Sequence, residues 1–532
     1  MSEERTFREI RLEKLQRMRE LGHDPYQNER FEISRSAQQM LDRFDSLVGE
    51  SVKMAGRVVS YRLMGKAGFA HISDGDAKIQ VYFRKDDLTE TEWELYRLLD
   101  IGDHVGIHGE LFRTKSEEKS IHARSLAVLS KALEVLPIGK EKDGQIYSGL
   151  SDTELRYRHR HLDLIANPDA RRMLLNRSRI VTAVRHYFDQ AGYLEVETPL
   201  LQLEAGGAAA RPFLTHYNAY DIDVKLRISL ELYLKRIICG DVPRVYEIGR
   251  VFRNEGVSNR HNPEFTLLEF YESYANLEDM MVRVEELFKH VAIEVFGSPW
   301  VKFKLTEGEI VDEGESGEPE FLEIDFSKPW RRVSLLGEIE RHTGLTAEDL
   351  GSLENAKSAL SDKNVVNPVT GKRINPDDEH NLGGLIEKLL EVFVEPTLQE
   401  PTFVIGYPIE TSPLAKKDPN NPKMTRRFEG YIRGREVCNA FSEINDPIDQ
   451  RERFEQQLGE REKGDDEAHP MDEEFIYALE CGMPPTGGCG IGIDRMAMML
   501  TGADHLREVL LFPTMRPEKK DVDEAPSVET ES

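Results

Sequence analysis

The hydrophobic and polar positions of this chain change period several times, and the changes divide it. Residues 1–22 read as a polar helix in which Arg5, Arg8, Arg11, Lys14 and Arg17 recur every third position. Each step is about 300° on a helix, so these cations wind around it, and the expectation is a solvated helix within an N-terminal helical extension over 1–49. Between 50 and 137, short β-rich runs (VKMAGRVVSYRL, GFAHISDGDAKIQVYF, DHVGIHGELFRT, SIHARSLAVLS) alternate with Gly and Asp turns, the spacing of a small barrel. Pro137 and the polar GKEKDGQ after it open an expected linker over 138–166. At 167 the period turns helical, with Asn167 placed to cap, Pro168 at the first helical position, Met173, Leu174, Val181, Val184 and Phe188 in period, and Gly192 closing the run. The strand YLEVETPLL follows, and much of 220–275 alternates at period two like a half-buried antiparallel sheet. Residues 332–400 are mostly helical and read as a subdomain inserted between sheet segments. The fold class is therefore α+β: a small barrel, then an antiparallel sheet flanked by helices over 167–515, then a polar, disordered tail over 516–532.

Composition narrows the class. The 532 residues, 39% hydrophobic and 31% charged, suit a soluble protein of roughly three domains or subdomains. No run reaches membrane-span length and MSEERTFREIRLEKL is too charged for a signal peptide, so a cytoplasmic protein with no membrane contact is expected. Cys239, Cys438, Cys481 and Cys489 make no disulfide framework and read as free thiols. His159 and His161 form a possible metal pair, but Arg156, Arg158 and Arg160 beside them would repel a divalent ion.

The net charge of −27 argues against loose binding of nucleic acid. It is unevenly placed. Residues 1–137 carry −2, whereas 305–325 carry −9, 457–480 carry −7 and 518–532 carry −4. The first of these acidic stretches reads as an exposed hairpin loop insertion. A barrel that is nearly neutral remains open to a nucleic acid held by base stacking and a few placed cations.

Four segments carry chemistry. In VYEIGRVFRNEGVSNRHNPEFTLLEFYE (245–272), two alternating runs flank a long polar tip; Phe265, Leu267, Glu269 and Tyr271 share a strand face, Arg253 ends the first strand, and Glu255 and His261 lie in the tip. A carboxylate among aromatics suits a binding floor, and an arginine offers bidentate bonds to phosphate or carboxylate. In GGCGIGIDRMAMML (487–500), Gly488, Gly490 and Gly492 leave one strand face bare for a flat group, and Arg495 follows at a helix start. In FEGYIRGREVCNAFSEIND (428–446), Asn439, Phe441 and Glu443 share a face, while Glu429 and Glu436 are either ligands for a hard cation such as Mg²⁺ or solvated edge carboxylates. In LRISLELYLKRIICG (226–240), Ser229 is placed to cap a helix whose first turn holds Glu231. Among nucleotide motifs, no Gly-Lys is followed by Ser or Thr, so there is no Walker A loop.

Together these segments resemble the three signature motifs of class II aminoacyl-tRNA synthetases, most closely the lysyl branch, over nearly the whole chain. MGKAGF, ELFRTKSEEKSIH, RYRHRHLDLI, EVETPLL, GGAAARPF, LELYLKR, KGDDEA and PPTGGCGIGIDR are each similar to that family. The resemblance implies an OB-fold anticodon-binding barrel over 50–137, with Phe69 stacking a base and Gln80 and Glu118 reading base edges. It implies that Arg253 and Arg495 are catalytic, with Arg253 on the lysine carboxylate and the α-phosphate. Glu255, His261 and Phe265, with Gly490 and Gly492, would hold ATP, its adenine between Phe265 and Arg495. Glu429 and Glu436 would hold two or three Mg²⁺ ions. Glu269 and the Gly207 backbone would take the α-ammonium, and Glu231 and Glu443, assisted by Tyr271 and Asn439, the ε-ammonium. ATP, lysine and tRNA(Lys) are the implied partners, and a homodimer the implied assembly.

The opposed carboxylates support lysine on their own account, because a buried ammonium requires them. Ser229-Leu230 stands where the family often has Ala-Pro, and Glu117-Glu118 where it has Gly-Glu. Two other functions stay open at this point: a paralogous protein lysine ligase, against which the barrel speaks, and an inactive RNA-binding paralogue, against which the intact Arg253, Glu269 and Arg495 speak.

Overall fold

The computed structural model describes residues 6–142, 145–147, 149–258, 261–304, 321–379, 381–462 and 468–517. They form two compact units that divide between Arg171 and Arg172, inside the helix Pro168–Gln190.

In the first unit, β1 (Ser51–Met64), β2 (Ala67–Ser73), β3 (Lys78–Arg84), β4 (His104–Arg113) and β5 (Lys119–Ser130) close a barrel in the order β1-β2-β3-β5-β4. Alternation drives this: Val52, Met54 and Val58 of β1 and Ala70 and Ile72 of β2 point inward and are buried. The helix Glu90–Arg97 starts at a Thr89–Glu92 capping box and contributes Trp93, Leu95 and Tyr96 to the barrel core. The N-terminal helix, Phe7–Glu20, is not the solvated element expected from its composition. Arg11 is 8% exposed and donates to the carbonyls of Ala132, Glu134 and Ile101, and Lys14 pairs with Asp100 at 2.6 Å. With Arg8 also paired to Glu134, three of its five cations are spent on the barrel unit. Residues 138–166, expected as a linker, contain the helices Thr153–Arg158 and Arg160–Ala166, where Arg156 and Arg160 both bond Asp163. Asn167 precedes the next helix, but its amide donates to Leu150 O and Asp163 Oδ1.

The second unit is built on an eight-stranded sheet. Its strands are β6 (Leu194–Glu195), β7 (Arg244–Phe252), β8 (Glu264–Ser273), β9 (Arg331–Ser334), β10 (Thr402–Pro408), β11 (Met424–Ile432), β12 (Arg435–Ser442) and β13 (Thr486–Gly492). The order is β9-β10-β11-β12-β13-β8-β7-β6, antiparallel except at its two edges, where β9 and β6 pair in parallel. One face is apolar: Tyr246, Leu268, Phe270, Ala440, Cys489 and Ile491 pack under the helices Pro168–Gln190 and Leu277–Phe296. The alternate residues of the same strands face the other way and form the floor described below. Between β9 and β10 the helices Leu335–Thr343, Leu353–Asp362 and Leu382–Leu389 enclose their own core around Leu335, Ile339, Leu385 and Leu389. Trp300–Lys304 pairs with Phe321–Asp325, a hairpin stem at the acidic insertion. The rest of that insertion, 305–320, lies outside the described residues, as do Lys463–Glu467 of KGDDEA and 518–532 of the tail. Among the described residues no helix is long and apolar enough to cross a membrane.

Two buried ion networks replace regular pairing. The expected strand YLEVETPLL forms ladders only at Leu194–Glu195 and Leu201–Gln202. Between them Pro199 offers no donor, and the Thr198 N–H and hydroxyl both donate to Glu247, which in turn accepts from the buried Arg227 at 2.7 Å. In the barrel unit, Lys131, with its side chain fully buried, bridges Asp100 at 2.6 Å and Asp103 at 2.7 Å. Removing one partner of such a network strands the other charges in a low dielectric. Lys131→Met is expected to cost about 3–5 kcal/mol in chemical denaturation of the barrel unit's signal, whereas Lys53→Met, an exposed pair with Glu32, changes it by less than about 1 kcal/mol.

Candidate active site

Strands β8, β13 and β12 lie side by side and place the sequence's candidates in two rows. Glu269 faces Gly490, which faces Asn439; Tyr271 faces Gly488, which faces Phe441. The bare glycine face expected from GGCGIG is therefore the middle of the floor, between strands that carry polar groups. Above it is a cavity of about 1020 Å³, also lined by Gly207, Glu231, Arg253, Glu255, His261, Phe265, Glu429, Glu436, Glu443, Gly492 and Arg495. The glycines are unequal. A Cβ on Gly488 would lie 2.0 Å from Glu443 Oε1 and 2.4 Å from the Tyr271 ring, whereas one on Gly490 meets nothing closer than Glu269 Cγ at 3.6 Å.

One end of the cavity is acidic. Glu231 opens the helix Glu231–Cys239. The helix's N-cap is Leu230, so Ser229 is not the expected cap; it sits one residue earlier, accepting from Glu231 N at 3.1 Å and donating to Glu269 Oε1 at 2.9 Å. Glu269 also accepts from Leu230 N at 3.1 Å and from the Tyr271 hydroxyl at 3.0 Å. Burial, with repulsion from Glu231, pushes its carboxyl up to about 7. Glu443, 1% exposed, follows β12. Lys235, which sequence reasoning missed, is fully buried and ion-paired with both Glu231 and Glu443. Burial drives both carboxyl groups above their usual range, and the Lys235 ammonium opposes that shift. The sequence signal for Lys235 was its i,i+4 spacing from Glu231.

Gly207 stands at φ +90°, where a Cβ would meet Ser229 Oγ at 2.7 Å. Its N–H donates to His469 Nε2 at 2.5 Å, so only its carbonyl is left to meet a cation. His469 is 2% exposed, is stacked on Phe454 at 5.0 Å, and is pushed down to about 4 by burial, which keeps Nε2 an acceptor. Nothing local pointed to it, since the two residues are 262 positions apart.

The other end is mixed in charge. Arg253 donates to Ile228 O at 3.3 Å and lies over the Phe265 ring at 5.1 Å. One face of Phe265 is thus covered by an arginine. Arg495 donates to Glu436 Oε2 at 2.8 Å and reaches His261 Nε2 at 3.5 Å. Glu429 is not a solvated edge carboxylate: it is 12% exposed, with Arg427 at 2.5 Å from Oε1 and the Tyr407 and Tyr431 hydroxyls at 2.9 and 2.5 Å from Oε2. Burial first, then the charges of Glu436 and Glu387, raise it. Glu387 Oε1, from the helical insertion, lies 3.5 Å from the Arg427 guanidinium. Glu429, Glu436 and Glu387 are the carboxylate type a hard divalent cation takes, but among the described residues no group of three or more such side chains is gathered closely enough to hold one.

In the barrel unit, Gln80 donates to Glu118 Oε2 at 2.7 Å and accepts from Ser120 at 2.8 Å, and His71 meets Glu118 Oε1 at 3.2 Å. Phe69 is half-buried and lies 5.1 Å from Tyr82, which is 6.0 Å from Phe112 and 5.3 Å from His122. Tyr82, Phe112 and His122 are additions to the expected face; their alternate spacing in separate strands hid them.

The glycine geometry makes a differential prediction. Gly488→Ala has to displace the Glu443 carboxylate or the Tyr271 ring, so its melting midpoint falls by the equivalent of about 1–3 kcal/mol. Gly490→Ala stays within about 0.5 kcal/mol of wild type. Equal midpoints for the two variants contradict this floor.

The geometry agrees with similarity to known proteins. Residues 152–516 match the model of the tRNA synthetases class II (D, K and N), and residues 52–129 match the OB-fold nucleic acid binding domain. The chain is 48% identical over 511 residues to a lysine–tRNA ligase of Syntrophomonas wolfei, covering 96% of this chain and 97% of that one. It is 47% identical over 508 residues to that of Pelotomaculum thermopropionicum, covering 96% and 94%. With that of Bacillus subtilis it shares 45% identity over 515 residues, covering 96% and 97%. A class II catalytic model matched across the glycine-faced floor, an OB-fold model matched across the barrel, and near-complete coverage of these relatives place the chain in the class II aminoacyl-tRNA synthetases, in the family of lysine–tRNA ligases.

Proposed function

We propose that this chain activates L-lysine with ATP and transfers it to tRNA(Lys). The observation that carries this reading is the charge of the cavity's acidic end. Glu231, Glu269 and Glu443 are all buried there against one resident ammonium, Lys235. Glu231 and Glu443 share that one ammonium, so a second cation brought between them is paired rather than repelled. The ε-ammonium of lysine is such a cation. Aspartate or asparagine would leave the carboxylates uncompensated, which is costly in a low dielectric.

Glu269 and the Gly207 carbonyl take the α-ammonium, and Glu231 and Glu443, with Tyr271 and Asn439 beside them, take the ε-ammonium. Arg253 holds the lysine carboxylate and the α-phosphate in line. Glu255, His261 and Phe265 clasp ATP from the tip of the β7–β8 hairpin, and Gly490 and Gly492 let it approach the backbone. Arg495 lies across the nucleotide from the helix after β13. Glu429 and Glu436 would hold Mg²⁺, which would supply positive charge to the phosphates. The carboxylate attacks the α-phosphorus, pyrophosphate leaves, and the adenylate then passes lysine to the ribose hydroxyl at the tRNA 3′ end. Rate comes from alignment and charge stabilisation, with no protein nucleophile. The barrel reads the anticodon through Phe69, Gln80 and Glu118. Leu194, Leu201, Leu203, Leu214 and Tyr220 are exposed, at 52, 52, 65, 74 and 72%, apolar side chains of the kind a second copy of the chain would cover.

Lysine-dependent ATP–pyrophosphate exchange followed by charging of tRNA(Lys) tests the reading. Exchange with lysine and none with aspartate or asparagine is expected. Exchange without charging points to a protein lysine ligase, and exchange with another amino acid instead of lysine contradicts the proposal. Because Glu269 titrates at about 7 and must be ionised to hold the α-ammonium, the KM for lysine rises as pH falls through that value, approaching about tenfold per pH unit. A KM flat down to pH 5.5 contradicts that role.

A further inference from the structure

Lys235 carries the same functional group as the proposed substrate and touches the same two carboxylates. Its ammonium, fully buried, pairs with Glu231 one turn earlier on its own helix and with Glu443 beyond β12. The rings of Phe441 and Phe475 flank it at 5.3 and 5.7 Å. The other charged or titratable groups around this cluster include Glu269 and Tyr271 on β8, Arg427 on β11, Cys489 on β13, His469 and Cys239.

Such a lysine either plugs the pocket until substrate displaces it, or backs the carboxylates while substrate binds in front. The oxygens decide between these. Lys235 takes Glu231 Oε1 and Glu443 Oε2. Neither Glu443 oxygen makes a hydrogen bond among the described residues; Oε2 carries the Lys235 ion pair, while Oε1 lies 2.0 Å from where a Cβ of Gly488 would stand, on the cavity floor. The acceptor left over is therefore on the cavity side, and the resident ammonium is behind it.

We propose that Lys235 is a positioning residue that fixes Glu231 and Glu443, favours their ionised forms in the empty pocket, and shares them with the incoming ε-ammonium. The inference rests on the lysine reading above. Without Lys235, two carboxyl groups packed together in a buried site retain one proton between them, as like charges there cannot both ionise. An arriving ammonium then has to expel that proton.

The test is Lys235→Met, with lysine titrated calorimetrically at pH 7.5 in two buffers of different ionisation enthalpy. The variant is expected to release about one proton more per lysine bound than wild type. Its KM for lysine in pyrophosphate exchange rises about tenfold or more. That KM, relative to wild type, falls again between about pH 7.5 and 9 as the shared proton leaves, with kcat moving less. A variant that folds and binds lysine with the wild-type proton count and pH profile overturns the proposal. If Lys235→Met does not fold, Lys235→Met combined with Glu443→Gln removes one charge of each sign and restores the wild-type net charge. This double variant is expected to bind lysine more weakly, because Glu443 is one of the two carboxylates assigned to the ε-ammonium, and to release no extra proton as it does so; extra release in it overturns the proposal. Wild-type protein that shows no lysine-dependent exchange overturns the lysine reading itself, an outcome separate from either variant result.

Discussion

Three carboxylates held out of water around a single ammonium are the constraint on which this site depends. Isolated burial of an ionised glutamate costs several kcal/mol, so each one here has an assigned partner. Glu269 has Ser229, Leu230 N and Tyr271, while Glu231 and Glu443 have Lys235. These groups come from the helix Glu231–Cys239, from β8 and from the end of β12. Their meeting therefore requires the strand order β12-β13-β8 and a strand between them with no side chains in the way. Gly488 is the tightest expression of this requirement, as any Cβ there would collide with the Glu443 carboxylate.

The same cavity separates opposite tasks along its length. Its acidic end is buried, with Glu231 and Lys235 on one helix, Glu269 and Tyr271 on β8, and Ser229, Leu230 and Glu443 just outside regular elements. Its other end mixes Arg253 and Arg495 with Glu429 and Glu436 and is closed by the exposed hairpin tip carrying Glu255 and His261. Specificity for a small ligand needs the first kind of surface, and a departing pyrophosphate needs the second.

Much of this was legible because it is periodic. The change from period two to a helical period at 167 matches the helix Pro168–Gln190. The alternation in β8 placed Glu269 with Phe265, Leu267 and Tyr271, and the glycines of β13 fell on one face as written. What was not legible depends on contacts distant in sequence. Arg11 looked solvated until carbonyls from residues 101–134 claimed it. YLEVETPLL looked like one strand until Glu247 took the Thr198 donors. His469 could not be connected to Gly207 by any local rule. Lys235 is the instructive case: its spacing from Glu231 was visible, but a helical i,i+4 pair is ordinarily a surface feature, and only Glu443 arriving from the sheet makes it a buried one.

The most direct measurement is calorimetric titration of the protein with L-lysine and with L-norleucine, which has the same chain of carbons and no ε-ammonium. On the proposed reading, in which two buried carboxylates take that ammonium, norleucine should bind at least about a hundredfold more weakly. Norleucine binding within a few-fold of lysine would mean that the pocket recognises the carbon chain and that the buried charges serve the fold alone.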